Sequence, residues 1–181
     1  LWSIHGPVIK TNHGVYAIRY SGANLIGQVE QWFRMNKASN LNEFKEAMSM
    51  MQIPMFNTLY ADKTGNLFYI YNGLIPKRQK NYNWKGILPG YKKSLIWDSY
   101  YSFDELPQSI NPKSGYLQNC NSTPYLATVG EGNPKKILPN NKGAKPPMVV
   151  AEVVMICLVD RITISVTSAF VISLLLASSF M

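Results

Sequence analysis

The chain has 181 residues, of which 46% are hydrophobic, so it is long enough to bury one ordinary core and we expect one main domain. Its formal net charge is +8, but the basic residues are dispersed from Lys10 to Lys145 without a helical stripe or a nucleic-acid-binding motif, which argues against nucleic acid as a partner. The two cysteines, Cys120 and Cys157, form no CxxC pair and no Cys/His cluster with metal-ligand spacing, so composition predicts no metal site and identifies no redox compartment.

The first predicted elements are two strands joined by a turn. Residues 3–9 and 15–20 are rich in β-branched and aromatic side chains, and residues 11–14 between them read Thr-Asn-His-Gly. Such a cluster of turn formers between two apolar runs is typical of a hairpin. A strand pair is therefore predicted at the start of the chain.

Two helices are predicted next. The first is indicated by a helical spacing of apolar residues, which we expect to form one buried stripe: Leu25, Val29, Trp32 and Phe33. The second begins at the N-cap Asn40, with Glu43 three residues later. Its buried face is predicted to carry Leu41, Phe44, Met48 and Met51, and Pro54 prevents its continuation.

A second hairpin follows the helices. Residues 55–61 and 67–71 are β-rich runs, and residues 62–66 between them read Asp-Lys-Thr-Gly-Asn, which is typical of a turn. Residues 73–134 are irregular and rich in Pro, Gly, Asn and aromatic side chains. We expect them to form long, ordered loops over a core that is supplied elsewhere.

The end of the chain differs in character from the rest. Residues 135–147 have the composition of a linker, and residues 148–181 form a hydrophobic tail. Within it, residues 162–181 are an uncharged run that, at about 1.5 Å per residue, would just cross a hydrocarbon core of about 30 Å. Two interpretations stay open for this run: a transmembrane or tail-anchor helix, with membrane contact through it, or a non-native C-terminus that aggregates or is degraded.

Four stretches in register resemble the penicillin acylase family of N-terminal nucleophile hydrolases, which includes the acyl-homoserine-lactone acylases. They are HGPV at 5–8, YAIRY at 16–20, IPMFNTLYADKTGNLFYIYNGLIPKRQ at 53–79 and NPKSGYLQNCNSTP at 111–124. Their order and spacing match the later part of the family's β-subunit. The resemblance covers residues 3–134.

The resemblance implies a fold and a chemistry. The fold is α+β: a fragment of an αββα sandwich with two helices, about four or more antiparallel strands and long loops, here followed by a hydrophobic C-terminal helix. In the family, a precursor cleaves itself and exposes a Ser, Thr or Cys as the first residue of the β-subunit. Its side chain attacks an amide carbonyl while its own α-amine serves as base.

Leu1 cannot act as such a nucleophile, so we expect this chain to be inactive by itself. The resemblance implies that an α-subunit and the N-terminal part of the β-subunit are its missing partners. The implied substrate is a small N-acyl amide, such as a β-lactam side chain or an acyl-homoserine lactone. No cofactor is expected, although some family members hold calcium.

Asn57 matches the oxyanion-hole asparagine of the family, within the F-N-T-L-Y-A-D stretch. A side-chain amide donates N–H groups to a tetrahedral oxyanion without adding a titrating group. On a strand, Asn57 shares a face with Met55 and Leu59, opposite Phe56 and Thr58. Without the family, Asn57 would be interpreted as satisfying a backbone group at a strand edge.

Arg78 matches a family arginine that lies near the active site and helps to orient it. The alternative is a solvated basic loop, because Lys77 and Lys80 are its neighbours. Asn119 and Asn121 match the family's asparagine-rich strand end, where we expect their amides to fix loop backbone rather than to take part in catalysis.

Three further residues are candidates for chemistry that we do not expect them to perform. His5 is predicted to be a packed or surface histidine, since the N-terminal mechanism needs no histidine there. Asp62 and Asp98 lack the ligand spacing of a calcium site, and Asp62 is predicted to cap its hairpin turn.

A non-catalytic, membrane-associated protein derived from this family is the alternative function. Its localisation is also open between two compartments. Basic residues precede the tail at Lys135, Lys136, Lys142 and Lys145, which favours a cytoplasmic body. The family is typically periplasmic or secreted.

Overall fold

The computed structural model describes residues 1–84 and 86–135 in full and the backbone of residues 154–157. Two α-helices, three short 3-10 helices and two small sheets account for the regular structure of these residues. The predicted α+β class is therefore confirmed for the described part of the chain.

The N-terminal sheet has three antiparallel strands in sequence order: β1 Trp2–Ser3, β2 Gly6–Thr11 and β3 Gly14–Ala17. The predicted hairpin is confirmed as β2 and β3, with Thr11 paired to Gly14 across the turn. The predicted run 3–9 is instead divided between β1 and β2. Gly6 makes this possible, because its φ of +132° is in the region that favours glycine, and a Cβ there would lie 2.2 Å from the Ile18 carbonyl oxygen.

The two helices are α1 Gln28–Lys37 and α2 Leu41–Ser49. The N-cap of α2 is confirmed: Asn40 Oδ1 accepts a hydrogen bond from the Glu43 backbone N–H at 3.0 Å, and Glu43 Oε2 accepts one from Ser39 N–H at 2.7 Å. This helix ends ahead of Pro54, as predicted.

The buried face of α2 is also as predicted. Phe44, Ala47 and Met48 are buried, and Leu41 and Met51 are partly buried against the same core.

The predicted buried stripe of α1 is wrong in part. Val29 and Phe33 are 80% and 60% exposed, whereas Gln31 and Met35 are buried. Only Trp32 of the predicted helical residues packs against the core. The helix is rotated relative to the expectation because Gln31 is bound by hydrogen bonds to the segment that follows α2.

The second sheet has the order β6-β5-β4-β7, with β4 Phe56–Ala61, β5 Leu67–Asn72, β6 Gln108–Ile110 and β7 Val154–Cys157. The predicted second hairpin is confirmed as the antiparallel pair of β4 and β5. Sequence analysis missed β6, which pairs antiparallel with β5 from within the region predicted as loops.

Both helices pack on one face of this sheet. Phe44 of α2 lies against Tyr60, with 4.7 Å between ring centroids, and Trp32 of α1 meets Phe56 edge-on at 6.4 Å. The strand residues of this face are Phe56, Thr58 and Tyr60 on β4 and Phe68, Ile70 and Asn72 on β5. The alternate residues, including Asn57, therefore point to the face without helices.

The predicted linker over 135–147 lies almost wholly outside the described residues, and so does the predicted hydrophobic helix at 162–181. The one described stretch of the apolar tail, Val154–Cys157, is a strand that pairs parallel with β4. Among the described residues, no helix has the length and apolar character needed to cross a membrane.

Candidate active site

Asn57 is the second residue of β4 and lies on the face opposite the helices. Its cross-strand partner on β5 is Tyr71, and Leu59 on the same face pairs with Tyr69. The prediction that Asn57 and Leu59 share a face is therefore confirmed. The Asn57 residue is only 3% exposed, so its amide needs hydrogen-bond partners.

The side-chain oxygen of Asn57 has a hydrogen-bond partner. The Tyr69 hydroxyl donates a hydrogen bond of 2.5 Å to Asn57 Oδ1. Within the described part of the chain, the Asn57 Nδ2 group donates to no acceptor, and it is not one of the fully buried side-chain atoms that lack a partner. The arrangement thus leaves two N–H donors of a fixed amide available.

The phenol groups of the two tyrosines beside Asn57, Tyr69 and Tyr71, are uncharged. Burial raises the pKa of Tyr69 well above its ordinary value, and the neighbouring Tyr71 and Tyr125 add to the increase. Burial likewise raises the pKa of Tyr71, against a lowering by Arg78. Both phenols keep their protons at neutral pH, so Tyr69 is a hydrogen-bond donor there.

Arg78 follows β5 and lies beside two neighbouring indole rings, whose centroids are 6.3 Å apart. Its guanidinium carbon is 5.7 Å from the ring centroid of Trp84 and 5.9 Å from that of Trp97. Arg19 lies 5.4 Å from the Trp97 centroid. These distances are in the range of cation–π attraction, which fixes a planar guanidinium in place.

Arg78 is exposed, as the basic-loop interpretation expects, but part of its guanidinium is covered by the indole rings of Trp84 and Trp97. Burial lowers the pKa of Arg78, while Tyr71 and Tyr101 oppose the change. Its neighbour Lys77 forms an ion pair of 2.9 Å with Glu105. The charge of Arg78 lowers the pKa of Tyr71, which is the cross-strand partner of Asn57.

An open cleft of about 570 Å³ lies beside Arg78. It is lined by Lys77, Arg78, Gln79, Lys80, Asn81, Ser99 and Tyr101. Its charged lining side chains are all basic. Asn57 does not line this cleft, so within the described residues the structure brings only one of the two predicted site residues to its wall.

The other sequence candidates have structural roles. Asn119 Oδ1 accepts a hydrogen bond of 2.8 Å from the Asn121 backbone N–H, and Asn121 has a φ of +54°, so these residues fix a loop as expected. His5 Nε2 lies 2.8 Å from the Gly90 carbonyl oxygen, which ties the N-terminal sheet to a distant loop.

Asp62 caps the turn between β4 and β5, as predicted. It accepts hydrogen bonds from the Thr64 hydroxyl at 2.6 Å, the Asn66 side chain at 2.9 Å and the Tyr60 hydroxyl at 3.0 Å. Asp98 is exposed and accepts a bond from Ser99. In residues 1–84 and 86–135, no three His, Cys, Asp or Glu side chains are grouped as metal ligands would be.

Sequence analysis missed Tyr69, Trp84 and Trp97. A signal for Tyr69 was present, because the turn 62–66 fixes the pairing of Ala61 with Leu67. Counting back from that pair puts Tyr69 diagonally across from Asn57 on the same face. No comparable local signal brings Trp97 to Arg78, whereas Trp84 is in the segment that directly follows Arg78 and its indole N–H donates to the Gln79 carbonyl oxygen.

The family model described as Penicillin amidase matches residues 1–146. Penicillin G acylase of Escherichia coli is 27% identical over 126 residues, which cover 67% of this chain and 15% of that protein. The acyl-homoserine lactone acylase PvdQ of Pseudomonas fluorescens strain Pf0-1 is 23% identical over 152 residues, covering 70% of this chain and 19% of that protein.

The solved structure of thermostable penicillin G acylase from Alcaligenes faecalis is similar to this chain in fold. The TM-score is 0.61 at 27% sequence identity, and the match covers 75% of this chain and 25% of that one. The chain therefore spans between 15% and 25% of the length of these relatives.

Proposed function

The chain belongs to the penicillin amidase family, and from this premise we propose that it carries the oxyanion-binding part of an amidohydrolase. The substrate class is a small N-acyl compound, of the β-lactam side-chain or acyl-homoserine-lactone type. The bond that breaks is the amide bond of the acyl group. The E. coli and P. fluorescens relatives, an acylase of penicillin G and one of acyl-homoserine lactones, support this class.

The observation that carries the proposal is the state of the Asn57 amide. Its Oδ1 is held by Tyr69, and its Nδ2 donates to no described acceptor. When a nucleophile attacks an amide carbonyl, the carbonyl oxygen gains negative charge, and a fixed N–H donor stabilises that charge in the transition state. Asn57 is neutral, so it supplies this stabilisation at any working pH.

The remaining catalytic groups are proposed to come from polypeptide outside these 181 residues. In this proposal, an N-terminal residue attacks the carbonyl carbon and its α-amine takes the proton. The acyl group passes to the nucleophile as the amine leaves, and water then releases the acid. By itself, the chain is proposed to hydrolyse no amide.

Arg78 is proposed to support this site rather than to react. Its guanidinium lies beside Trp84 and Trp97, and its charge lowers the pKa of Tyr71, the cross-strand partner of Asn57. A fixed positive charge at this position orients the polar groups on the same face of the sheet.

The test is a graft, defined as E. coli penicillin G acylase in which the aligned segment is replaced by residues 1–134 of this chain. The graft is expected to hydrolyse an N-acyl amide. Asn57→Ala in the graft should lower kcat by about 10²–10³ with little change in KM, because the lost donor acts only in the transition state.

The matched control is Asn12→Ala, which removes an exposed amide from the turn between β2 and β3. It should leave kcat unchanged. A folded graft without amidase activity would reject the proposed function. An active graft whose rate is insensitive to Asn57→Ala would reject the oxyanion role.

A further inference from the structure

Tyr69 is one of the most deeply buried polar side chains of the sheet, and its hydroxyl group forms one hydrogen bond among the described residues. It is 0% exposed. Among the residues that the structure describes, its hydroxyl is bonded to Asn57 Oδ1 only. A fully buried phenol with one hydrogen-bond partner can contribute to the structure through the packing of its ring or by orienting that partner.

The direction of this hydrogen bond decides which end of the Asn57 amide is free. An amide has one oxygen acceptor and one nitrogen with two donors. If the amide were turned over, Nδ2 would face the Tyr69 oxygen, and the hydroxyl hydrogen would lose its acceptor. A buried donor without an acceptor is costly, so Tyr69 selects the orientation in which Nδ2 points away from it.

We infer that Tyr69 is a positioning residue, which fixes the Asn57 side chain so that its N–H donors are presented to the oxyanion. The inference rests on the proposed function. It assigns to Tyr69 no contact with substrate. The effect of Tyr69 is transmitted through Asn57 alone.

The geometry of the hairpin explains why Tyr69 reaches Asn57. Tyr69 pairs with Leu59, and Asn57 is two residues before Leu59 on the same face of β4. Diagonal neighbours on one face of an antiparallel pair are within reach of a long aromatic side chain. Tyr71 is directly opposite Asn57, but within the described part of the chain the hydrogen bond to the Asn57 side chain comes from Tyr69.

The first test uses the complete chain and needs no catalysis. The Asn57 side-chain N–H pair is identified in a ¹H–¹⁵N spectrum by its absence in Asn57→Ala. Tyr69→Phe should shift this pair and accelerate its exchange with water. Tyr60→Phe is the matched control, because Tyr60 is on the same strand as Asn57 but its hydroxyl donates to Asp62.

The second test measures kcat and KM of the graft and its variants. Tyr69→Phe should lower kcat by about fivefold to tenfold, the range expected for one neutral hydrogen bond, and leave KM nearly unchanged. The double variant Asn57→Ala/Tyr69→Phe should be no slower than Asn57→Ala, since both changes act on one group. Tyr60→Phe should leave kcat unchanged.

The outcomes separate this inference from the proposed function. An unshifted Asn57 amide in Tyr69→Phe overturns the positioning role, and so does an effect on kcat that adds fully to that of Asn57→Ala. A Tyr69→Phe graft with unchanged kcat overturns it as well, even where Asn57→Ala is slow. An inactive graft overturns the proposed function, and with it any catalytic consequence of Tyr69.

Discussion

Gln31 is a polar residue in the middle of the helical core face, with 0% of its surface exposed. Its Oε1 accepts hydrogen bonds from the backbone N–H groups of Gln52, at 2.7 Å, and Ile53, at 3.1 Å. Its Nε2 donates to Asn72 Oδ1 at 3.5 Å. One side chain thus joins α1, the segment after α2 and β5, and satisfies backbone donors that would otherwise be buried without partners.

Gln31→Ala is expected to weaken this junction. It removes the acceptor of two backbone donors, each of which costs about 1–3 kcal/mol when left unsatisfied. Hydrogen exchange should show the amides of Gln52 and Ile53 exchanging at least about tenfold faster, because about 1.4 kcal/mol corresponds to a factor of ten. Asn36→Ala on the exposed side of α1 is the control, and equal exchange in both variants would contradict the role of Gln31.

At the scale of elements, the β4–β5 hairpin is the unit that holds the candidate site. Its turn is fixed by Asp62, and its two strands carry Asn57 and Tyr69 in one register. A slip of this register by one residue would move Asn57 to the helix face and separate it from Tyr69. The register of the whole hairpin, rather than any single hydrogen bond of its turn, therefore sets the geometry of the site.

Asp62 is expected to titrate below its ordinary pKa of 3.8. Burial would raise the pKa of Asp62, but hydrogen bonds from Thr64, Asn66 and Tyr60 outweigh that effect and lower it. Since the pKa is lower in the folded state, the stabilisation is present above the unfolded pKa of about 3.9 and is lost as the pH falls through the folded value.

A ¹³C NMR titration of the Asp62 carboxyl group measures its pKa in the folded state directly. Thr64→Val removes a hydroxyl donor and should raise the midpoint toward 3.8, and Asn66→Ala should do the same. Asn12→Ala in the other turn should leave it unchanged. A midpoint at or above 3.8 in the unsubstituted chain would contradict the proposed hydrogen bonding.

At the scale of the whole molecule, apolar side chains remain uncovered on α1, in the segment just before it and on the N-terminal sheet. Ile26, Val29 and Phe33 are 96%, 80% and 60% exposed, and Trp2 is 70% exposed. Relatives of this chain are several times longer. Apolar faces of this kind lower the stability of an isolated segment because they add no burial on folding.

We expect residues 1–134 alone to unfold over a broad range of temperature with weak cooperativity. The small core between the helices and the second sheet would lose structure separately from the N-terminal sheet. Circular dichroism and tryptophan fluorescence should report different midpoints. Coincident, sharp transitions from both probes would contradict this expectation.

The fold was predictable wherever the signal is local. The cap of α2 at Asn40, the turn at 62–66 and the alternation that puts Asn57 opposite Phe56 and Thr58 all follow from residues close together in sequence. The predicted stripe of α1 was wrong because its apolar residues recur at helical spacing, yet the buried side is set by the contacts of Gln31 with residues more than 20 positions away.

The sequence by itself determined the family resemblance, the two helices, the two hairpins and the identity of Asn57 and Arg78 as candidates. Tertiary structure alone decided that β6 joins β5, that Trp97 lies beside Arg78, and that Gln31 faces the core. The physical reason is range: caps, turns and strand alternation depend on near neighbours, whereas these contacts form only when distant segments pack together.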